Sequence, residues 1–367
     1  MSDNRRRYLA MKRALKQLYP TEPQGNLARH LHTLAALASG IVGSRSTRLP
    51  DIASKVPDGT RRESRVKKFH RWIKNEHISA QVCFLPYVDA LLSSLVEGGP
   101  LLLAMDSSEV GRECLTLMIS VIYQKRALPI AWIVVKGTKG HFPEETHIQL
   151  VEEVCHIIPA GADVIFVGDG EFDGVDLQAT IDGRGWAYVC RTAKNAQLGA
   201  EGEHFAFAEI GVQPGDCLGL PNVTFTLQDY GPILAIAQWE IGYQDPIYLI
   251  TNMDLEGEAC YWYSKRYRIE TFFSDQKSRG FNLDKSHVAD PVRLARLMIA
   301  ACLAYIWIVH LGVLAKRDDW VKIIHRADRC DLSLFRLGLD LLEHFLNQSL
   351  SIPVSFLMPH LAESVRW

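Results

Sequence analysis

Residues 297–315 run for 19 positions with no Asp, Glu, Lys or Arg and His310 as the only basic side chain. Such a run has two outlets. It is long enough to cross a bilayer, and a helix apolar on every side can equally be the central buried helix of a large domain. The sequence favours burial. No second run of this kind exists, and residues 290–297 lead into it with an amphipathic start, DPVRLARL. Composition agrees: 48% hydrophobic and 22% charged residues exclude a disordered chain. The 367 residues suit about two domains. The expectation is a globular protein with no membrane partner. The eight cysteines are spread singly with no CxxC pair, which indicates neither a zinc knuckle nor a disulfide framework. With no apolar signal core in the first residues, a cytoplasmic location is expected.

The formal net charge of −2 conceals an asymmetry. Residues 1–75 hold 17 Lys+Arg against 5 Asp+Glu, and residues 76–367 hold 23 against 37. A basic segment on an otherwise acidic chain points to a nucleic-acid contact. The cations concentrate in residues 60–75, TRRESRVKKFHRWIKN. There Val66, Phe69, Ile73 and possibly Trp72 make one helical face, while Arg61, Arg62, Arg65, Lys67, Lys68, Arg71 and Lys74 take most of the rest. A solvated surface helix is the plain reading of a charge run. Seven cations and one acid in sixteen residues repel one another, however, and neutralising DNA phosphates relieves that repulsion.

Periodicity divides the chain. Residues 1–95 read as a helical DNA-binding region. Residues 96–195 read as strands with two interleaved helices, a hairpin followed by β-α-β-α-β, which makes an α/β core on a mixed sheet. Residues 196–254 carry Gly and Pro punctuation and short alternating runs, a β-rich insertion. Helices return over 258–279 and 290–315; residues 255–320 rejoin the core and 321–367 form a helical tail.

Asp106 and Asp169 each follow an apolar strand, at the edge where open α/β sheets place active sites. An Asp at a strand end is also an ordinary turn residue, and Glu109, Glu171 and Asp173 are competing acids. The third element decides between the readings. In YSKRYRIETFFSDQKSRG, Tyr263, Arg266, Glu270 and Lys277 fall within roughly a 60° sector of one helix. An exposed stripe of salt bridges would look the same. Set beside two strand-borne aspartates, the stripe offers a third carboxylate for Mg²⁺ or Mn²⁺, with a phenol and two cations to hold phosphate oxygens. Two such ions activate a water and stabilise the leaving oxygen of a phosphodiester.

The spacing Tyr-x2-Arg-x3-Glu-x6-Lys resembles the signature of the IS-four type of bacterial insertion-sequence DDE transposases. Tyr263, Arg266, Glu270 and Lys277 match it without a gap. Asp106 in AMDSSE resembles the first acid of that family and Asp169 in GDGEFDG the second; WAYVCR, ending in Arg191, and PIYLITN also fit. The resemblance covers about 60–350. Ser108 stands where Thr is frequent, and Gly170 where Arg is frequent. The resemblance implies an RNase H-like fold, catalytic and metal-binding roles for Asp106, Asp169 and Glu270, and two Mg²⁺ or Mn²⁺ ions per site. It also implies binding of double-stranded DNA at the terminal inverted repeats, cleavage to a 3′-OH and joining to target DNA. A homodimer in the synaptic complex and a bacterial, nucleoid-associated location follow from the same likeness. In hairpin-forming members a flipped base stacks on a Trp of the insertion. Trp239 is the only Trp in residues 196–254, with Trp262 a contender and a core strand position the alternative. Rival readings are a catalytically inactive DNA-binding relative, a nuclease of the same fold, and a hydrolase built on His141 and His147, for which no nucleophile stands at a meaningful spacing.

Overall fold

The computed structural model describes residues 1–137, 141–326 and 330–359. The first six helices are α1 (Asp3–Gln17), α2 (Gly25–Ser44), α3 (Leu49–Ser54), α4 (Arg62–Lys74), α5 (Ala80–Cys83) and α6 (Leu85–Val96). The antiparallel strands β1 (Leu101–Gly111), β2 (Cys114–Tyr123) and β3 (Arg126–Lys136) follow. Then come α7 (Glu144–Cys155), β4 (Val164–Gly168), α8 (Val175–Asp182) and β5 (Ala187–Thr192). Five more strands are β6 (Gln197–Ala200), β7 (Glu203–Ala206), β8 (Cys217–Phe225), β9 (Tyr230–Gln238) and β10 (Ile247–Thr251). The chain continues through α9 (Glu256–Tyr263), α10 (Arg268–Gln276), α11 (Pro291–Arg317), α12 (Val321–Ile324) and α13 (Leu334–Asn347). Two 3₁₀ turns lie at Phe207–Ile210 and Leu283–Lys285.

The strands form one mixed sheet in the order β3-β2-β1-β4-β5-β10-β9-β8-β6-β7. β1, β4 and β5 are parallel and the hairpin β1-β2-β3 is antiparallel, which is the RNase H-like arrangement. The strands of residues 197–251 prolong this same sheet: β10 pairs antiparallel with β5, Tyr248 opposite Thr192. Helices α7 and α8 cover β2, β3 and β5, while α9, α10 and α11 pack on β1, β3, β4, β5 and β8.

The apolar run of residues 297–315 lies inside α11. Asp290 caps its start by accepting from Arg293 N (2.8 Å), and Pro291 sits in the first turn, where its missing N–H costs nothing. Every residue from Leu297 to Ala315 is buried among protein atoms. β3, α2, α4 and α13 supply the cover, so the apolar surface needs no lipid. The closest approach is to α13, where a Cβ at Gly338 would collide with the Ile308 carbonyl and one at Gly312 with that of Leu334. The N-terminal helices share this core. Trp72 and Phe84 are buried, and Arg296 of α11 donates to the carbonyls of Ile78 (2.9 Å) and Ile73 (3.2 Å).

Candidate active site

In the parallel pair β1–β4, Ala104 stands opposite Val167. Two residues further along each chain stand Asp106 and Asp169. Both therefore stand just past the last paired residues of neighbouring strands, which in a sheet run about 4.8 Å apart. Asp106 does not end its strand: β1 runs on to Gly111, paired with β2, and Asp106 lies opposite Met118. The pairing with β4 ends at Ala104. The strand then has β2 on one side only, and burial gives way to exposure over residues 106–109 before Val110 and Gly111 are buried again. Asp169 does directly follow the last residue of β4.

The Tyr263–Lys277 stripe does not lie on one helix. A single helix over 258–279 was expected, but α9 stops at Tyr263 and α10 starts at Arg268. Between them the backbone tightens: Arg266 N bonds Tyr263 O, Ile269 N bonds Arg266 O and Glu270 N bonds Tyr267 O. These are i→i−3 bonds, and at 3.0 residues per turn positions i and i+3 eclipse. Tyr263 and Arg266 are thus superposed by a 3₁₀ segment rather than by α-helical phase. Lys277 lies just past α10, as its C-cap.

The four residues nonetheless converge on the two aspartates. The Arg266 guanidinium sits among the acids, with Nη1 3.9 Å from Asp106 and 4.0 Å from Asp169, and Nη2 2.7 Å from Glu270. Lys277 Nζ donates to Ser108 Oγ (2.7 Å), two residues beyond Asp106 on β1. Burial raises the Tyr263 phenol, and the neighbouring Arg266 and Arg191 partly offset that. Burial and the adjacent Asp169 push the Asp106 carboxyl up to about 7, although Arg266 and the Ser107 N–H oppose the shift. Burial works against the charge of Arg266, yet Tyr263, Asp106, Glu270 and Asp169 raise it above its ordinary value.

The rival acids are turned to other work. Asp173 accepts from Thr192 Oγ1 (2.6 Å). Glu109 is exposed beside Lys277. Glu171 is a brace that the sequence did not show. Its Oε1 accepts from Phe142 N (2.9 Å) and its Oε2 from Ser107 Oγ (3.1 Å), while His147 and His141 lie 3.6 and 3.5 Å away. It ties the chain beside Asp106 to the loop that carries Asp169 and to the segment before α7. The two histidines therefore flank this carboxylate.

Trp239 is half-buried and donates from Nε1 to Tyr243 O (3.0 Å). With Arg191, Lys194 and Tyr248 it lines a cleft of about 510 Å³. Trp262 lies elsewhere, edge-on to Tyr261 and beneath Lys265 Nζ. On α4, Phe69, Trp72 and Ile73 are buried, and Arg61, Arg62, Lys67, Lys68, Arg71 and Lys74 are exposed. Arg65 is turned inward instead. It pairs with Asp58 (2.7 Å) and donates to the carbonyls of Ala53 (2.6 Å) and Val56 (2.9 Å).

The family model for the transposase DDE domain matches residues 109–307, more than half of the chain. Among solved structures, a cryo-EM structure of piggyBac transposase, in a synaptic complex with hairpin DNA, is similar over 98% of this chain and 85% of that one. The identity is 10% and the TM-score 0.46. No curated protein matches.

Proposed function

The chain belongs to the transposase DDE-domain family of DNA-cleaving and strand-transferring enzymes, and on that premise we propose that it binds the terminal inverted repeats of its element, cuts there to free a 3′-OH and joins that end to target DNA. The observation that carries this reading is that Asp106 and Asp169 each stand two residues past the last β1–β4 pair, Ala104 and Val167, with Arg266 reaching both of them and Glu270.

The residues suit a divalent cation. Their donors are hard carboxylate oxygens, and burial together with the adjacent Asp169 raises Asp106, so a cation drawn in beside the pair would favour its charged form. Among the described residues, no three acids already stand as a closed ligand set. Arg266 explains this: it lies between the carboxylates as an internal cation, so metal entry requires its guanidinium to move aside. Two Mg²⁺ or Mn²⁺ ions held by Asp106, Asp169 and Glu270 would supply an activated water and stabilise the leaving 3′ oxygen. Arg266, once displaced, and Lys277 are placed to hold non-bridging phosphate oxygens, and the Tyr263 hydroxyl to fix the strand. Glu171 keeps Ser107, and with it Asp106, at a set distance from the Asp169 loop. Exposed Arg61, Arg62, Lys67, Lys68, Arg71 and Lys74 would neutralise duplex phosphates, and Trp239 would offer a stacking face to an unpaired base. A homodimer, giving one active site to each end, and a nucleoid-associated location belong to the same proposal.

Strand transfer separates this reading from a nuclease of the same fold. A labelled duplex carrying the sequence that flanks the gene, incubated with plasmid and Mg²⁺, is expected to become covalently joined to the plasmid. Cleavage without any joined product favours the nuclease; neither product favours the inactive relative.

A further inference from the structure

A cleft of about 820 Å³ opens beside Lys277. Besides that lysine, its basic lining is Arg48, Arg112, Lys285 and His287; Glu109 and Asp284 are the acids at its edge. The four basic residues come from three distant stretches of chain. Arg48 precedes α3, Arg112 sits in the tight turn between β1 and β2, and Lys285 and His287 belong to the 3₁₀ turn after α10 and the segment following it. The stretches are fixed to one another. Thr47 Oγ1 donates to Asn282 O (3.0 Å), and Asn282 Nδ2 returns a bond to Arg45 O (3.1 Å). At the hairpin end, Gly111 lies so close to α11 that a Cβ would stand 2.5 Å from Leu294 Cδ2.

All four side chains are exposed. Arg48 approaches Asp51 only at 4.0 Å, and Arg112, Lys285 and His287 have no acidic partner within that distance among the described residues. One end of the cleft reaches the catalytic carboxylates through Lys277 and Ser108. The other reaches the basic helix: Arg62 of α4 donates to Pro50 O (3.0 Å), two residues from Arg48. A row of exposed basic side chains, in which only Arg48 has an acidic neighbour within 4.0 Å among the described residues, runs from Lys277 beside the carboxylates to the basic helix α4 and matches the regular negative charge of a nucleic-acid backbone.

We propose that Arg48, Arg112, Lys285 and His287 form a phosphate track that grips the backbone of duplex DNA between α4 and the catalytic carboxylates. The inference rests on the transposase reading, and it names contacts that the acids and the Tyr263–Lys277 stripe do not provide. Such contacts are blind to sequence; they set where the duplex lies, and so which phosphodiester meets Asp106 and Asp169.

The test is fluorescence anisotropy of the full-length protein with a fluorescein-labelled duplex at several salt concentrations. Each lost phosphate contact lowers the slope of log K against log salt by about 0.9. Arg48→Ala/Arg112→Ala/Lys285→Ala is therefore expected to lower it by about 2–3 and to weaken binding at every duplex sequence. The charge-keeping Arg48→Lys/Arg112→Lys/Lys285→Arg should retain the slope, as should Lys322→Ala/Arg336→Ala on α12 and α13. An unchanged slope in the triple alanine variant, or an equal loss in the charge-keeping one, overturns the track while leaving wild-type cleavage, and the transposase reading, intact. A wild-type protein that neither binds nor cuts the duplex overturns both.

Discussion

His310 is the one Asp, Glu, Lys, Arg or His side chain in the apolar core of α11, and it offers a quantitative test of that core. Its Nδ1 lies 2.8 Å from Leu357 O, so the neutral ring donates there. Burial, with Arg317 nearby, pushes the imidazole from 6.5 down to about 4, while the Leu357 hydrogen bond opposes the shift. The folded state thus binds its proton less readily than the unfolded state. Stability from this group is complete above pH 6.5 and is lost as pH falls towards 4. The whole interval corresponds to about 3 kcal/mol, of which about 2 kcal/mol is gone at pH 5. Chemical denaturation of wild type and His310→Asn at pH 7 and pH 5 measures it, since Asn keeps an N–H donor for Leu357 but does not titrate. The wild type should lose about 2 kcal/mol more than the variant between the two pH values. Equal losses would show that His310 is accessible to protons, and that α11 is not enclosed as described.

Two further outcomes follow from the packing and from the brace. Gly338→Ala drives a methyl group into the Ile308 carbonyl where α13 meets α11; an overpacking cost of about 1–3 kcal/mol is expected, seen as a lower denaturation midpoint. Glu171→Ala frees the chain on both sides of the aspartate pair. Cleavage should fall by roughly 10–100-fold with a higher half-saturating Mg²⁺ concentration, as for other groups that orient metal ligands. Glu171→Gln should recover most of that loss, because an amide can still accept from Phe142 N and bond Ser107. A Gln variant as poor as Ala contradicts a bracing role.

The sequence made some of this legible because the information was local. The spacing of Tyr263, Arg266, Glu270 and Lys277 is a short-range pattern, and the unbroken apolar run of α11 announces burial by itself. Where the outcome depended on contacts between distant stretches, the pattern was silent. That Asp106 and Asp169 each stand two residues past the last β1–β4 pair follows from the pairing of β1 with β4 some sixty residues apart. The continuation of β1 past Asp106 depends on β2 as a partner, which the run ending at Asp106 does not reveal. Arg65 looks like its neighbours on α4, but Asp58 and the carbonyls of residues 53 and 56 claim it. Hydrophobic periodicity does not distinguish α-helical from 3₁₀ winding over seven residues, which is why the break between α9 and α10 escaped it. Glu171 showed as one acid among several in GDGEFDG; its bonds to Ser107 and Phe142 exist only in the fold.

The central claim is that Asp106, Asp169 and Glu270 act together as the cutting centre. The most direct measurement is Mg²⁺-dependent cleavage of an end-bearing duplex by the wild type and by Glu270→Gln, with duplex binding recorded in parallel. Several kcal/mol of transition-state stabilisation hang on the metal ligands, so the variant should bind DNA normally and cut it at least about 100-fold more slowly. Cleavage at the wild-type rate by Glu270→Gln, or by the wild type in excess EDTA, would contradict the account.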